Sequence, residues 1–217
     1  MKRRLFTSIA AVLSMGGASL LTTPTAFAAS YNRNAAVAYA DTYATSPNSA
    51  NWPVYSDDCT NFASQVLLAG GMPMYVNYNT HTGAPETTTN DSYWFYQSGA
   101  YSYSWQVSWD LWNYLLTYSG RGSHVGTYNG NIGNNQYNTL SGGDLIGYNW
   151  GDSTGKQHPG QPTHWSVEAG YGTDPSSGWT GDYVDEHTSN RYHAYWTLQP
   201  YNSYASSTQV YTVSITY

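Results

Sequence analysis

One cysteine, Cys59, stands in a chain of 217 residues. No disulfide can close within such a chain, so its fold must be held by a packed core. The material for that core is aromatic: 17% of residues are Phe, Trp or Tyr, with 23 Tyr and 9 Trp, against 9% charged. Tyr and Trp bury a ring and keep a polar tip in reach of water or a partner. Surface polarity must then come from Asn, Ser, Thr, Gly and tyrosine hydroxyls.

The N-terminus reads as an export signal. Lys2, Arg3 and Arg4 precede an apolar run from Leu5 to Leu21, and Ala26-Phe27-Ala28 offers small residues at a cleavage site. Residues 1–28 are therefore expected to be removed, leaving 29–217 as one secreted domain. The apolar run is too short for a comfortable membrane span, and no later segment is apolar enough to cross a bilayer. The whole chain carries a formal charge of −6, and removing the three signal cations leaves −9. That charge disfavours nucleic acid and anionic membranes as partners. The mature part is expected to be a monomer.

Asn34 to Thr45 has Ala35, Ala36, Tyr39, Ala40 and Tyr43 at three- and four-residue spacing, which predicts a helix. A second helix follows in Asp57-Asp58-Cys59-Thr60-Asn61-Phe62-Ala63-Ser64-Gln65. Either aspartate can cap it, Phe62, Ala63, Val66 and Leu67 form its apolar stripe, and Gly70-Gly71 ends it. Met74 to Ser104 and Arg121 to Thr139 lack a period and read as loops. Trp105, Trp109, Trp112 and Leu116 predict one helix face, with the tryptophans in the core. Strands are predicted over 144–150, 164–171, 183–187 and 209–217. Helices first and strands later make an α+β domain.

The first turn of a helix is a favourable place for a reactive thiol. A free thiol has a pKa near ~8.5, and unsatisfied backbone N–H groups with the helix dipole favour its thiolate. The same N–H groups can donate to an oxyanion when that thiolate attacks a carbonyl. Asp57 and Asp58 oppose the thiolate, so a cation is needed near the sulfur. Six histidines are available, and His164 opens a predicted strand with Ser166 and Glu168 on its face. Placed toward the cysteine helix, it takes the thiol proton and returns it to a leaving amine. Its second ring nitrogen needs a polar partner, and the next strand offers Asp185, Glu186 and His187, of which His187 is preferred.

The run Asp58-Cys59-Thr60-Asn61-Phe62-Ala63-Ser64-Gln65 followed by Gly70-Gly71 resembles the nucleophile signature of the putative amidase domain family. That family is similar to the papain-like NlpC/P60 and CHAP cell-wall amidases and peptidases. Tyr31-Asn32-Arg33, Gly143-Asp144-Leu145-Ile146 and His187-Thr188-Ser189-Asn190-Arg191 resemble its opening helix, the strand before the histidine and its closing motif. The resemblance implies a papain-like core, with the nucleophile helix packed on an antiparallel sheet. It also implies Cys59 as nucleophile, His164 as base and acid, and His187 as the orienting residue. Asp58 is then a structural or substrate-ordering neighbour, and Trp165 packs beside the base. Glu168 departs from the pattern, where an apolar or small residue is expected. The implied reaction is amide hydrolysis through a thioester, on cell-wall peptide or another extracellular amide, with no metal or organic cofactor.

Two other readings compete with this one. A zinc hydrolase has His158 and His164, or His187 and His193, at i, i+6, but no HExxH helix and no cysteine pair. A non-catalytic wall- or polysaccharide-binding module would use exposed Trp, with Trp150 and Trp179 in Gly/Asp-rich loops the best placed.

Overall fold

The computed structural model describes residues 30–217; the export signal expected over 1–28, and Ala29, lie outside the described residues. The chain begins with two helices, α1 (Arg33–Tyr43) and α2 (Cys59–Ala69). A short hairpin follows, β1 (Tyr96–Gln97) with β2 (Ala100–Tyr101), then α3 (Tyr103–Gln106), α4 (Ser108–Asn113) and a π-helical turn, Tyr114–Tyr118. Then come β3 (Gly122–Asn129), β4 (Leu145–Asn149), α5 (Ser153–Gln157), β5 (His164–Thr173), β6 (Thr180–Glu186), β7 (Arg191–Tyr195) and β8 (Gln209–Ile215). The last six strands form one antiparallel sheet in the order β3-β8-β4-β5-β6-β7. The fold is thus mixed α and β with a mostly antiparallel sheet.

Alternation along the strands splits the core in two. On one face Leu145, Trp165, Val167, Val213 and Ile215 pack against Phe62, Ala63, Val66 and Leu67 of α2 and Ala36 and Ala40 of α1. On the other, Ile146, Tyr148, Val184 and Val210 pack with Tyr195, Trp196 and Leu198. The loop 130–138 covers this second core. Ile132 packs on it, and Tyr195 donates its hydroxyl to the Gly133 carbonyl at 2.7 Å.

Several sequence expectations need correction. The tryptophan helix is broken: Val107 is extended (φ −111°, ψ 129°), so Trp105 belongs to α3 and Trp109 to α4. Trp105 is fully buried and Trp112 packs against the core, whereas Trp109 is half-buried. Residues 122–129, read as loop, pair with β8 along the sheet edge. Their glycines conceal a strand that tertiary pairing creates. Arg191–Tyr195, for which the sequence predicts no strand, pairs with β6 at the other edge of the sheet.

The motif residues outside the site tie α1 to the sheet. Tyr31 donates its hydroxyl to Gly143 O (2.9 Å), and its ring lies where a Cβ on Gly70 would stand, 2.1 Å away. Arg33 pairs with Asp144 (2.6 Å) and donates to Ile215 O (2.9 Å), while Asp144 also accepts from the Ile215 N–H (2.7 Å).

Candidate active site

α2 begins at Cys59, with Asp58 as N-cap. Its first intrahelical donor is Phe62, which bonds Asp58 O at 2.9 Å. The N–H groups of Cys59, Thr60 and Asn61 therefore have no acceptor within the helix. The polar residues of this helix are buried and each is bonded. Asn61 accepts from Trp105 Nε1 (2.8 Å), Ser64 accepts from Trp94 Nε1 (3.0 Å), and Gln65 accepts from the Tyr39 hydroxyl (2.7 Å). These bonds fix the helix in rotation, and with it the direction of the sulfur.

Cys59 and His164 line the same cleft, near enough for each to shift the other's ionisation, though not across the face expected. Tyr148 and Ile146, which stand opposite His164 and Ser166, belong to the second core, while Trp165 and Val167 face the helices. His164 nevertheless reaches the sulfur because it is the first residue of β5, where α2 begins at the end of the sheet. Trp165 packs as expected, buried and donating Nε1–H to Ser108 O at 3.0 Å.

The partner of His164 is Glu186. His164 Nε2 bonds Glu186 Oε2, and the other carboxylate oxygen pairs with Arg191. Ser166 also donates to Oε2 at 3.4 Å. With Nε2 so engaged, Nδ1 is the nitrogen left for the sulfur. His187, the residue preferred from sequence, is elsewhere: its Nδ1 bonds Asp58 Oδ2 (2.6 Å) and its Nε2 lies 2.8 Å from Tyr43 O. It stacks on Phe62, with ring centroids 3.9 Å apart. The reason lies in strand parity. β6 ends at Glu186, so the last strand residue points to β5's histidine and its successor turns toward the helix layer. His187 and Thr188, whose Oγ1 accepts from the Asp58 N–H at 3.0 Å, bolt the start of α2 to the β6–β7 turn.

The electrostatics follow from these contacts. Burial raises the Cys59 thiol, but the His164 charge and a hydrogen bond from that ring outweigh it, helped by the Trp165 backbone and Thr60, so the thiol lies below its usual value. Burial works against the imidazolium, but Cys59 and Glu186 reverse this and hold His164 up at about 10. Glu186 is pushed up by burial and pulled down further by His164 and Arg191, ending below its ordinary value. The arrangement is a buried thiol–imidazole pair backed by a carboxylate and a guanidinium, in which each partner favours the charged form of the other. Glu168, the departure noted in the sequence, is buried on the second face, accepts from Asn138 Nδ2 at 3.0 Å, and is raised by burial.

The sulfur opens onto a cleft of about 440 Å³ lined by Asp57, Val107, Trp109, Trp150, Asp152 and Thr188 among others. A second cavity of about 330 Å³ shares Trp150, Asp152, His164 and Thr188 with it and extends past Arg191 to Tyr201 and Tyr204. Together they make a groove bent around His164. Trp109 is held in its wall by stacking on His158, centroids 3.7 Å apart. Trp150 lines both arms, whereas Trp179 packs edge-on against Tyr195 in the second core. The histidine pairs weighed for zinc are taken up separately: His158 by Trp109, His164 by Glu186, His187 by Asp58 and His193 by Asp41.

A family model described as Putative amidase domain matches residues 30–213. Uncharacterized protein YhbB of Bacillus subtilis (strain 168) is 38% identical over 85 residues, 39% of this chain and 24% of that relative. Uncharacterized protein YjcM of the same organism is 47% identical over 55 residues, 25% of this chain and 13% of that relative. The chain thus spans a quarter or less of the curated relatives it matches. No solved structure gives a significant match. Among the described residues, no helix is long and apolar enough to cross a membrane.

Proposed function

Because the chain belongs to the family of the Putative amidase domain, we propose that it is a cysteine amidase acting through Cys59, His164 and Glu186. The observation that carries this is the buried sulfur–imidazole–carboxylate series at the floor of an open groove. The Cys59 thiolate attacks the amide carbonyl carbon, forming a C–S bond. The Cys59 N–H at the helix start receives the oxyanion. His164 Nδ1–H protonates the leaving nitrogen as the C–N bond breaks, which leaves a thioester. The neutral imidazole then takes a proton from water, and the hydroxide attacks the thioester. The acid departs and the thiolate–imidazolium pair is restored. Glu186 holds the ring's Nε2–H and stabilises its positive charge throughout.

The layout of a nucleophile helix on an antiparallel sheet that carries the base supports a papain-like relationship with the NlpC/P60 and CHAP amidases. Cell-wall peptide is the proposed substrate. The groove is open at both arms and lined with hydroxyl, amide and aromatic groups suited to an extended peptide. The export signal at residues 1–28 puts the enzyme outside the cell in this proposal.

The test is incubation of the protein with purified cell wall and with amide-linked wall peptides, measuring new free amines. Release by the native protein, its loss in Cys59→Ala, and a thioester trapped by hydroxylamine are expected. Amine release unchanged in Cys59→Ala would overturn the cysteine mechanism. Wall binding without any release by native protein would favour the binding module, for which Trp109 and Trp150 in the groove are the supporting observation.

A further inference from the structure

A second cluster of chemistry-bearing groups lies apart from the groove, where α1 crosses β6 and β7. Asp41 of α1, Asp185 of β6 and His193 of β7 each bring one ligating atom within 4.8 Å of the others. Asp185 is fully buried. Its Oδ1 accepts the His193 backbone N–H at 2.8 Å, but its Oδ2 is enclosed with no donor. An anionic oxygen without a donor is among the most costly groups to bury. The Asp41 carboxylate beside it is itself an acceptor, and so worsens the deficit.

His193 is held in place for a task of its own. Its ring is stacked between Tyr183 and Tyr192, with centroids 3.9 and 3.6 Å away. Its backbone takes φ +52° where the β6–β7 register shifts between Val184 and Glu186. Nε2 points to Asp41 Oδ1 at 2.9 Å. Two carboxylates and an imidazole converge from three elements, with the buried acid at the bottom and Asp41 exposed at the rim.

We propose that Asp41, Asp185 and His193 form a binding site for a divalent transition cation of the zinc class. Such an ion supplies the positive charge that Asp185 Oδ2 lacks and neutralises the two carboxylates together. The imidazole ligand selects a borderline metal over calcium, which takes six to eight oxygens. Three protein ligands leave room for water at the exposed rim. No local metal motif marks the site because the ligands come from α1, β6 and β7, 144 and 8 positions apart. The site clamps α1 to the sheet and supplies no group to the groove.

The test uses untagged protein stripped with chelator, then titrated with zinc, manganese or calcium chloride. Metal content is read by mass spectrometry after dialysis, and the melting temperature by calorimetry. One zinc per chain and a rise of roughly 5–10 °C at zinc 100-fold above its Kd are expected. Both effects should vanish in Asp41→Asn, a change at an exposed residue, and in His193→Gln, while Cys59→Ala leaves them intact. No zinc uptake would overturn the site. So would uptake unchanged in both variants, or calcium stabilising as much as zinc. Stabilisation by Asp41→Asn without any metal effect would show that the two acids share a proton instead.

Discussion

Glu186 makes two bonds that decide the state of His164: one to the ring and one to Arg191. Replacing it in Glu186→Gln removes the charge that holds the imidazolium, so the ring should fall from about 10 toward its ordinary 6.5. Amide hydrolysis in native protein should follow a bell whose acid limb lies below the usual thiol value and whose alkaline limb lies near pH 10. In Glu186→Gln the alkaline limb should move to lower pH, and kcat/KM should drop about 10²–10⁴-fold. An unmoved limb would remove Glu186 from the mechanism. His187→Gln should behave differently. It leaves Asp58 buried with a weaker partner and should cost about 1–3 kcal/mol in a urea titration, with the shape of the pH profile retained. The linkage has opposite signs for the two partners. The raised His164 contributes stability fully present below pH 6.5 and lost as pH rises through about 10. The depressed Glu186 contributes stability present above 4.5 and lost as pH falls through its lowered value. Urea midpoints should therefore be highest between these limits and fall on both sides.

The elements carry the motif residues as parts of a frame. Asn61 shows this: its side chain accepts from Trp105 Nε1 and donates to Asp58 Oδ1 at 2.8 Å and to Pro53 O at 2.9 Å. Asn61→Ala strands Trp105 Nε1 and Pro53 O and leaves Asp58 Oδ1 with only the Tyr55 N–H, and should lower stability by about 1–3 kcal/mol per unpaired group, read by urea denaturation. Gly70→Ala drives a methyl into the Tyr31 ring and should cost about 1–3 kcal/mol; a neutral result would show that Tyr31 can swing aside. The cysteine helix is legible in the sequence because its stripe and its Gly-Gly stop agree, although Asp58 stands at the N-cap without a side-chain capping bond. Four of the five strands from 144 onward are legible for the same reason, since alternation and turn residues coincide; the short Arg191–Tyr195 strand, with His193 at positive φ, is not. Residues 122–129 are not legible, because their glycines carry no alternation and only pairing with β8 makes them a strand. The tryptophan spacing misleads because Val107 breaks the helix, and that kink turns Trp109 into the groove.

At the scale of the molecule, the site exists only where three separate ends meet: the start of α2, the start of β5 and the end of β6. Sequence order supplies Cys59 and His164 as candidates. The choice between Glu186 and His187 depends on which residue of β6 is last to face the histidine, and one residue's parity decides it. The same parity gives Asp185 to the opposite face and to α1. The groove that the meeting creates should be separable from the chemistry. Trp109→Ala should raise KM several-fold with little change in kcat, since it lines the cleft without touching the sulfur or the imidazole. A loss confined to kcat would contradict its place in the wall. The most direct measurement of all is the rate of Cys59 alkylation by iodoacetamide across pH, followed by intact mass, in native protein and in urea. The native thiol should react at markedly lower pH than the unfolded one, and His164→Ala should abolish that advantage. A native thiol that reacts only after unfolding, or equally with and without His164, would contradict the ion pair on which the proposed chemistry rests.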